Sequence, residues 1–450
     1  MKKIVCLLVA TLIGIAGGAY AQGQIANDAA AIAASEQLMQ EMSAGQYDLV
    51  IDRLSDKVKG QITQAQLEDA WTQVTKAYGS YLGKADVKAI KQGDGWAAQG
   101  VCQFENGEIA LVCAFDAQMK LGGFNFQPIV KSDAPIDLPL PEGASEEAIT
   151  LFEESDRALA GALVRPANWD ENTPVALLVH GSGASDKDET VMANKPFRDL
   201  AYGLAARGVA SLRYDKMNYA HPALFSQEMS IDLEYRASTL EALSFAQGAG
   251  LGKVFLIGHS EGGMLTPWLM REGKDFAGGV VLAGTPRKLW QVSRAQNLAM
   301  IALMPEESRA QAMEMVSAQT EKAEALKAMT RDEARKAEPV FGAPAAYLWE
   351  MEQLDALQIA QENARPLLIL QGEADFQVSV QDDFAAWREG LGDMGGMVAY
   401  KCYPGLSHLF MPCPEGATVL DAQTVYAKAG QMDAQVIEDI ANWITEVAAG

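Results

Sequence analysis

The chain has 450 residues, 49% of them hydrophobic, and 36 basic against 59 acidic side chains give it a net charge of −23. A chain of this length and apolar content builds two or three units with ample cores. Its negative charge excludes nucleic acid, whose binding rests on neutralising phosphates, and disfavours adhesion to anionic lipid.

The first segment, Lys2-Lys3, an apolar run over 4–16 and then Ala19-Tyr20-Ala21, reads as a signal peptide of residues 1–21 cleaved after Ala21. The run is too short to span a bilayer, and no other stretch is long and apolar enough, so stable membrane insertion is not expected. Cys6 sits in the middle of the run, which does not suit a lipid anchor. The protein is expected to be exported, to the periplasm or the medium. Two lysines leave with the leader, taking the net charge from −23 to −25.

Residues 22–130 read as a small α+β module. Ile32, Leu38, Met39 and Met42, then Leu49, Val50 and Leu54, then Leu67, Trp71 and Val74 recur at helical spacing over 27–79. Over 84–127 the period changes to two with Gly punctuation, the pattern of antiparallel strands. Residues 131–148, with Pro135, Pro139, Pro141 and several acids, read as a linker.

From 149 to 450 strands and helices alternate. Strands are expected at 160–165, 175–180, 209–214, 254–258, 280–284, 367–371 and 398–403, and helices at 197–207, 233–247, 264–271, 382–389 and 436–447. Continuous apolar strands separated by helices mean a mostly parallel sheet covered on both faces, with its site at the carboxyl ends of the strands. The interval of about eighty residues before 367 is too long for a crossover of the usual 2–6-residue loops and one helix. It is rich in Ala, Met, Glu and Lys and reads as an inserted helical cap over 287–362. Met300, Met304, Met313, Met315, Met329 and Met351 either line an adaptable apolar pocket or serve ordinary helix packing.

The chemistry concentrates at Lys253–Gly263, where an apolar strand runs into Gly258-His259-Ser260-Glu261-Gly262 and a helix follows at once. A Gly-x-Ser-x-Gly turn between strand and helix lifts the Ser hydroxyl clear of the sheet, and small residues flank it because side chains there collide with neighbouring backbone. The chain has four histidines: His180 after a strand, His221 in a loop or rim, His259 inside the turn, and His408, the only one downstream of Ser260. Between them, Asp375 follows the strand at 367–371, giving the order Ser260, Asp375, His408 of a nucleophile, an orienting acid and a base. Each residue also has a plainer role available, Ser260 as a helix cap, His408 as a solvated loop residue, Asp375 as a cap for the next helix. Glu373, Asp382 and Asp383 are rival acids, and Asp375 is preferred because the turn directly after the strand is where a carboxylate reaches the imidazole.

Cys102 and Cys113, and Cys402 and Cys413, form two local pairs, each eleven residues apart. In an exported chain they read as two disulfides, one across a hairpin and one stapling the His408 loop. A Gly107-Glu108 turn would put the first pair directly opposite, an Asn106-Gly107 turn diagonal. No histidine spacing beside them suits zinc.

From about residue 150 the chain resembles bacterial α/β-hydrolase esterases of the dienelactone-hydrolase and prolyl-oligopeptidase-like group. The resemblance is carried by Val-His-Gly-Ser-Gly-Ala-Ser-Asp-Lys-Asp-Glu (179–189), Gly-His-Ser-Glu-Gly-Gly (258–263), Leu-Gln-Gly-Glu-Ala-Asp-Phe-Gln-Val (370–378) and Gly-Leu-Ser-His-Leu-Phe (405–410). The N-terminal module resembles the small α+β domain of unknown function that often precedes such hydrolases. One departure is the loop after Tyr214-Asp215-Lys216, which runs into Met-Asn-Tyr-Ala where the family has a Gly-rich turn.

The resemblance implies an α/β-hydrolase fold and acyl transfer to Ser260, with His408 as base and Asp375 orienting it. A tetrahedral oxyanion needs backbone donors, expected from the N–H groups of Glu261 and Ser182. The chemistry calls for no metal or organic cofactor, only a small-molecule ester, and the sequence carries no signal for an oligomeric state. A peptidase or thioesterase could use the same triad, and a non-catalytic envelope-binding protein is the reading from another class.

Overall fold

The computed structural model describes residues 29–450 apart from 57, 61, 93–94 and 226–228. The leader expected at 1–21 lies outside the described residues. The chain divides into two compact units, the first ending at Lys131 and the second running from Ser132 to Gly450.

The first unit has helices α1 (Ala29–Ser43), α2 (Tyr47–Arg53) and α3 (Gln64–Tyr78), then strands β1 (Tyr81–Gln92), β2 (Gly95–Phe104), β3 (Gly107–Phe115) and β4 (Leu121–Pro128). The strands pair antiparallel in chain order. Thr63 caps α3 reciprocally with Gln66, satisfying N–H groups that a helix start leaves open. The apolar stripe of α3 lies on the sheet, and Trp71 packs 5.8 Å, ring centre to ring centre, from both Phe104 and Phe126.

Cys102, Cys113, Cys402 and Cys413 are free thiols, contrary to the disulfides expected from the sequence. The β2–β3 turn falls at Glu105–Asn106, so Cys102 faces Ile109 and Cys113 faces Ala98. The two lie four places apart along the ladder, about 13 Å at the usual rise, beyond the reach of a disulfide. Burial pushes both thiols up to about 12. Cys402 packs against the sheet core beside Glu373 and Arg388, whereas Cys413 sits near Asp375 and Asp421, in a different neighbourhood.

The second unit holds an eight-stranded sheet. Its elements are β5 (Ser145–Leu151), β6 (Leu159–Arg165), β7 (Val175–Val179), α4 (Pro196–Ala205), β8 (Ala210–Tyr214), short turns of helix α5 (Met217–Ala220) and α6 (Pro222–Phe225), α7 (Ala237–Gly248), β9 (Val254–His259), α8 (Glu261–Glu272) and β10 (Phe276–Leu282). Five helices follow, α9 (Leu289–Ala302), α10 (Glu306–Leu326), α11 (Arg331–Lys336), α12 (Ala345–Glu352) and α13 (Ala356–Asn363). Then come β11 (Leu367–Gly372), α14 (Ala385–Leu391), β12 (Val398–Tyr403), α15 (Ala422–Tyr426) and α16 (Ala434–Ala449).

The sheet order is β12-β11-β10-β9-β7-β8-β6-β5, parallel from β12 to β8 and antiparallel for β6 and β5. The central strands are buried along their whole length, which explains their unbroken apolar runs. Residues 145–148, read as the end of a linker, instead start β5. Only Ile149 and Leu151 of that strand are buried, so it carries no alternation to read. Strand β10 stops at Leu282 rather than at 284, because Ala283 turns to φ 47° and Gly284 tucks against Gly263. Among the described residues no helix is long and apolar enough to cross a membrane.

Two π turns, Asp232–Arg236 before α7 and Val380–Phe384 before α14, interrupt helices that the periodicity reads as regular. Alkylation of the unfolded protein without reductant should modify Cys102, Cys113, Cys402 and Cys413 alike, with reductant leaving the melting temperature unchanged; a mass two hydrogens short per pair would restore the disulfides.

Candidate active site

Strand β9 ends at His259, and the chain reverses at Ser260 with φ 53° and ψ −115° before α8 begins at Glu261. The turn is packed backbone on backbone. A Cβ on Gly258 would lie 2.2 Å from the Gly262 carbonyl oxygen, and one on Gly262 would lie 2.5 Å from the carbonyls of Val179 and His180. The Ser260 N–H donates to Leu282 O at 2.8 Å, and its hydroxyl makes no cap to the helix. The side-chain oxygen is thus left for other work.

Asp375 lies in the turn after β11. Its Oδ1 accepts the N–H groups of Gln377 and Val378 at 2.7 and 3.0 Å, and its Oδ2 accepts Gln371 Nε2 at 2.9 Å and His408 Nδ1 at 2.7 Å. The carboxylate is fully buried and fully satisfied. The rival acids point elsewhere. Glu373 is exposed, Asp382 is exposed, and Asp383 is held by Thr285 Oγ1 and Arg287 Nε. His408 stands in a tight turn closed by Ser407 N–H to Met411 O and Phe410 N–H to Ser407 O. Gly372 lets that loop close on β11, since a Cβ there would meet Leu406 O at 2.4 Å.

After β7 the chain forms His180-Gly181-Ser182-Gly183, and a Cβ on Gly181 would lie 3.0 Å from the Ser260 Cβ. The loop therefore passes directly against the serine turn. Glu261 opens α8, where helical N–H groups lack intrahelical partners. Among the described residues the Ser182 N–H has no hydrogen-bond partner. His180 donates Nε2–H to Asp186 O, and burial pushes it down to about 4, so it is neutral. His221 donates to Ala158 O at 2.9 Å, at the end of α5.

His259 links the loops. Its Nδ1 is 3.0 Å from Glu189 Oε1 and its Nε2 is 3.0 Å from His408 O. Both partners are acceptors, so both nitrogens donate and the ring is an imidazolium. Burial opposes that charge, but the Glu189 carboxylate outweighs it and raises the ring's pKa. Burial also opposes ionisation of Glu189, yet the pairing with His259 holds it below the usual range. Glu189 Oε1 further accepts the Gly181 N–H at 2.7 Å.

Sequence reasoning missed Glu189, and likewise a buried group around Lys216, Glu234, Tyr235 and Tyr347, because charged residues read as solvated unless a partner is visible. Glu261 is also more than a backbone donor. Its buried carboxyl accepts from Tyr347 Oη at 2.5 Å, and burial together with Glu234 pushes it up to about 7.

A mostly parallel sheet with Ser260 at the strand–helix turn after β9, Asp375 after β11 and His408 after β12 is the arrangement of the α/β-hydrolase fold, and this chain has that fold. A family model described as serine aminopeptidase, S33, matches residues 224–412, and one described as a protein of unknown function (DUF3887) matches residues 35–124. The chain is 27% identical over 410 residues to Esterase EstD of Thermotoga maritima, covering 91% of this chain and 94% of that one. Similar solved structures include Est1E from Butyrivibrio proteoclasticus, at TM-score 0.43 and 15% identity over 67% of this chain and 99% of that one. A Pyrococcus furiosus esterase, Pf2001, is similar at TM-score 0.41 and 13% identity over 71% and 98%.

Replacing His259 by Gln strands the buried Glu189 carboxylate and should cost about 3–5 kcal/mol, with Glu189→Gln added to it restoring part of the loss. Because the folded pKa of His259 is raised from 6.5, its contribution is complete below that value and is lost as pH rises through the folded one. Urea melts of wild type and His259→Gln should therefore converge as pH rises through that raised value; a gap that widens with pH would refute the imidazolium.

Proposed function

We propose that this carboxylic-ester hydrolase works by double displacement on Ser260. The Ser260 hydroxyl attacks the ester carbonyl while His408 takes its proton, and Asp375 holds the ring and stabilises the imidazolium. The oxyanion is held by the N–H groups of Glu261 and Ser182, each such donor being worth about 3 kcal/mol of barrier. His408 then protonates the leaving alkoxide, and water attacking the acyl-serine by the reverse path releases the acid. The observation that carries the reading is the 2.7 Å contact of His408 Nδ1 with a fully satisfied Asp375, with the His408 carbonyl bonded to His259, the residue before a serine held at positive φ with an uncommitted hydroxyl. The substrate is a small-molecule ester, consistent with the likeness to EstD along most of the chain. These steps use side chains and backbone alone.

A second reading, cleavage of a peptide or aminoacyl amide, draws on the serine aminopeptidase match over 224–412. Amide cleavage needs protonation of a poor leaving amine and capture of a peptide terminus. Comparing nitrophenyl esters with aminoacyl nitroanilides decides between the readings, and anilide turnover with negligible ester turnover would select the second.

Export is part of the proposal. It rests on the leader pattern, and mature protein recovered outside the cytoplasm should begin at Gln22; a retained Met1 would refute it. The N-terminal unit is proposed as an accessory module, without catalytic residues of its own.

A fluorophosphonate should label wild type and fail to label Ser260→Ala or His408→Ala. Asp375→Asn should keep ester binding and lose about 10⁴-fold in kcat. Normal labelling of Ser260→Ala would end the reading.

A further inference from the structure

Lys216 follows β8 and is 1% exposed. Its Nζ lies 2.7 Å from Gly181 O, 3.0 Å from Gly183 O, 2.7 Å from Tyr235 Oη and 2.6 Å from Glu234 Oε1. Four acceptors thus share its three protons. The Tyr235 hydroxyl, accepting from Lys216, lies 3.0 Å from Gly181 O and shares its one proton between that carbonyl and the Glu261 carboxyl. Glu234 and Tyr235 come from the π turn before α7, and both are 2% exposed.

These bonds fix the direction of one peptide unit. The carbonyl of Gly181 belongs to the same planar unit as the N–H of Ser182, and no described peptide bond is cis. In a trans unit the two groups point opposite ways. Drawing Gly181 O down to Lys216 and Tyr235 therefore turns the Ser182 N–H away from the buried ion pair. The unit lies alongside the serine, given the 3.0 Å separation of a Gly181 Cβ from the Ser260 Cβ. The other side of Gly181 is pinned as well, by its N–H to Glu189. A carbonyl bonded to a cation also makes its own N–H a stronger donor.

We infer that Lys216 and Tyr235 are positioning residues that aim the Ser182 N–H at the oxyanion formed on Ser260. The inference rests on the proposed role of Ser260. Lys216 sets the peptide by charge and Tyr235 by a second donor on the same oxygen, while Glu234 compensates the lysine so that the loop is held by a neutral pair.

The test uses the full chain carrying Tyr235→Phe, and separately Lys216→Met with Glu234→Gln, which removes both charges together. Active sites are titrated with a fluorophosphonate. Then kcat and KM for p-nitrophenyl acetate and the affinity for an aryl trifluoromethyl ketone, whose serine adduct bears an oxyanion, are measured per titrated site. Tyr235→Phe should lower kcat about 10-fold with KM unchanged, and the charge-free pair about 100-fold, the scale of one lost oxyanion donor. Ketone affinity should fall by the same factors. Unchanged kcat and ketone affinity per site in both variants would overturn the inference, as would a loss seen only in the melting temperature or the number of titratable sites. Wild type that neither labels nor turns over would remove this inference together with the proposed function, whereas labelled, active wild type with insensitive variants removes this one alone.

Discussion

Ser260 is held at φ 53° and ψ −115°, a backbone state that costs an L-residue about 1–3 kcal/mol and persists only where its surroundings over-determine it. Here they do so by direct backbone contact. Gly258 and Gly262 bring β9, α8 and the end of β7 together, and Gly263 lets the turn after β10 close on the same point. Two hydrogen bonds lock the reversal, from the Ser260 N–H to Leu282 O and from the Met264 N–H to Ser260 O. Because strands and helix meet without side chains between them, the loop that follows β7 passes directly against Ser260, and the loop that follows β12 bonds to the residue before it.

Buried charge is the second organising element. Glu189 with His259, and Lys216 with Glu234, are nearly inaccessible ion pairs. Each ion carries a desolvation cost of several kcal/mol, so such pairs are poor sources of stability and are better understood through what they orient. Both close on one glycine, with Glu189 taking the Gly181 N–H and Lys216 its carbonyl. His259 extends the first pair to the carbonyl of His408. The loop beside Ser260 and the loop carrying His408 are thus tied through a single imidazolium.

Much of this was legible in the chain. Central strands such as β7 and β9 are continuous apolar runs because both faces are covered, and Asp375 is preferred over Glu373 because the turn directly after a strand is where a carboxylate reaches the imidazole; its Oδ2 lies 2.7 Å from His408 Nδ1. Other features left no mark. A π turn adds one residue without changing composition, so the helix expected from 233 shows no break there, and nothing marks Glu234 and Tyr235 as both buried. Strand β5 pairs through its backbone while exposing most of its side chains. The cysteine spacing suggested a bridge, but the hairpin register that decides it depends on which two residues form the turn, and Glu105–Asn106 carries no stronger turn signal than the pairs beside it.

Strand β5 also bears on what the open edge of the sheet presents to another strand. It ends the sheet, bonded on one side to β6 only, and so presents backbone groups that another strand could pair with. Residues Ser145, Glu146 and Glu147 are exposed there, and two of the three are carboxylates. Neither carboxylate is free: Glu146 is held by Arg213 and Tyr202, and Glu147 by Arg165. The outermost strand is thus edged by ion pairs rather than by apolar side chains, and a strand added there would have to bury them.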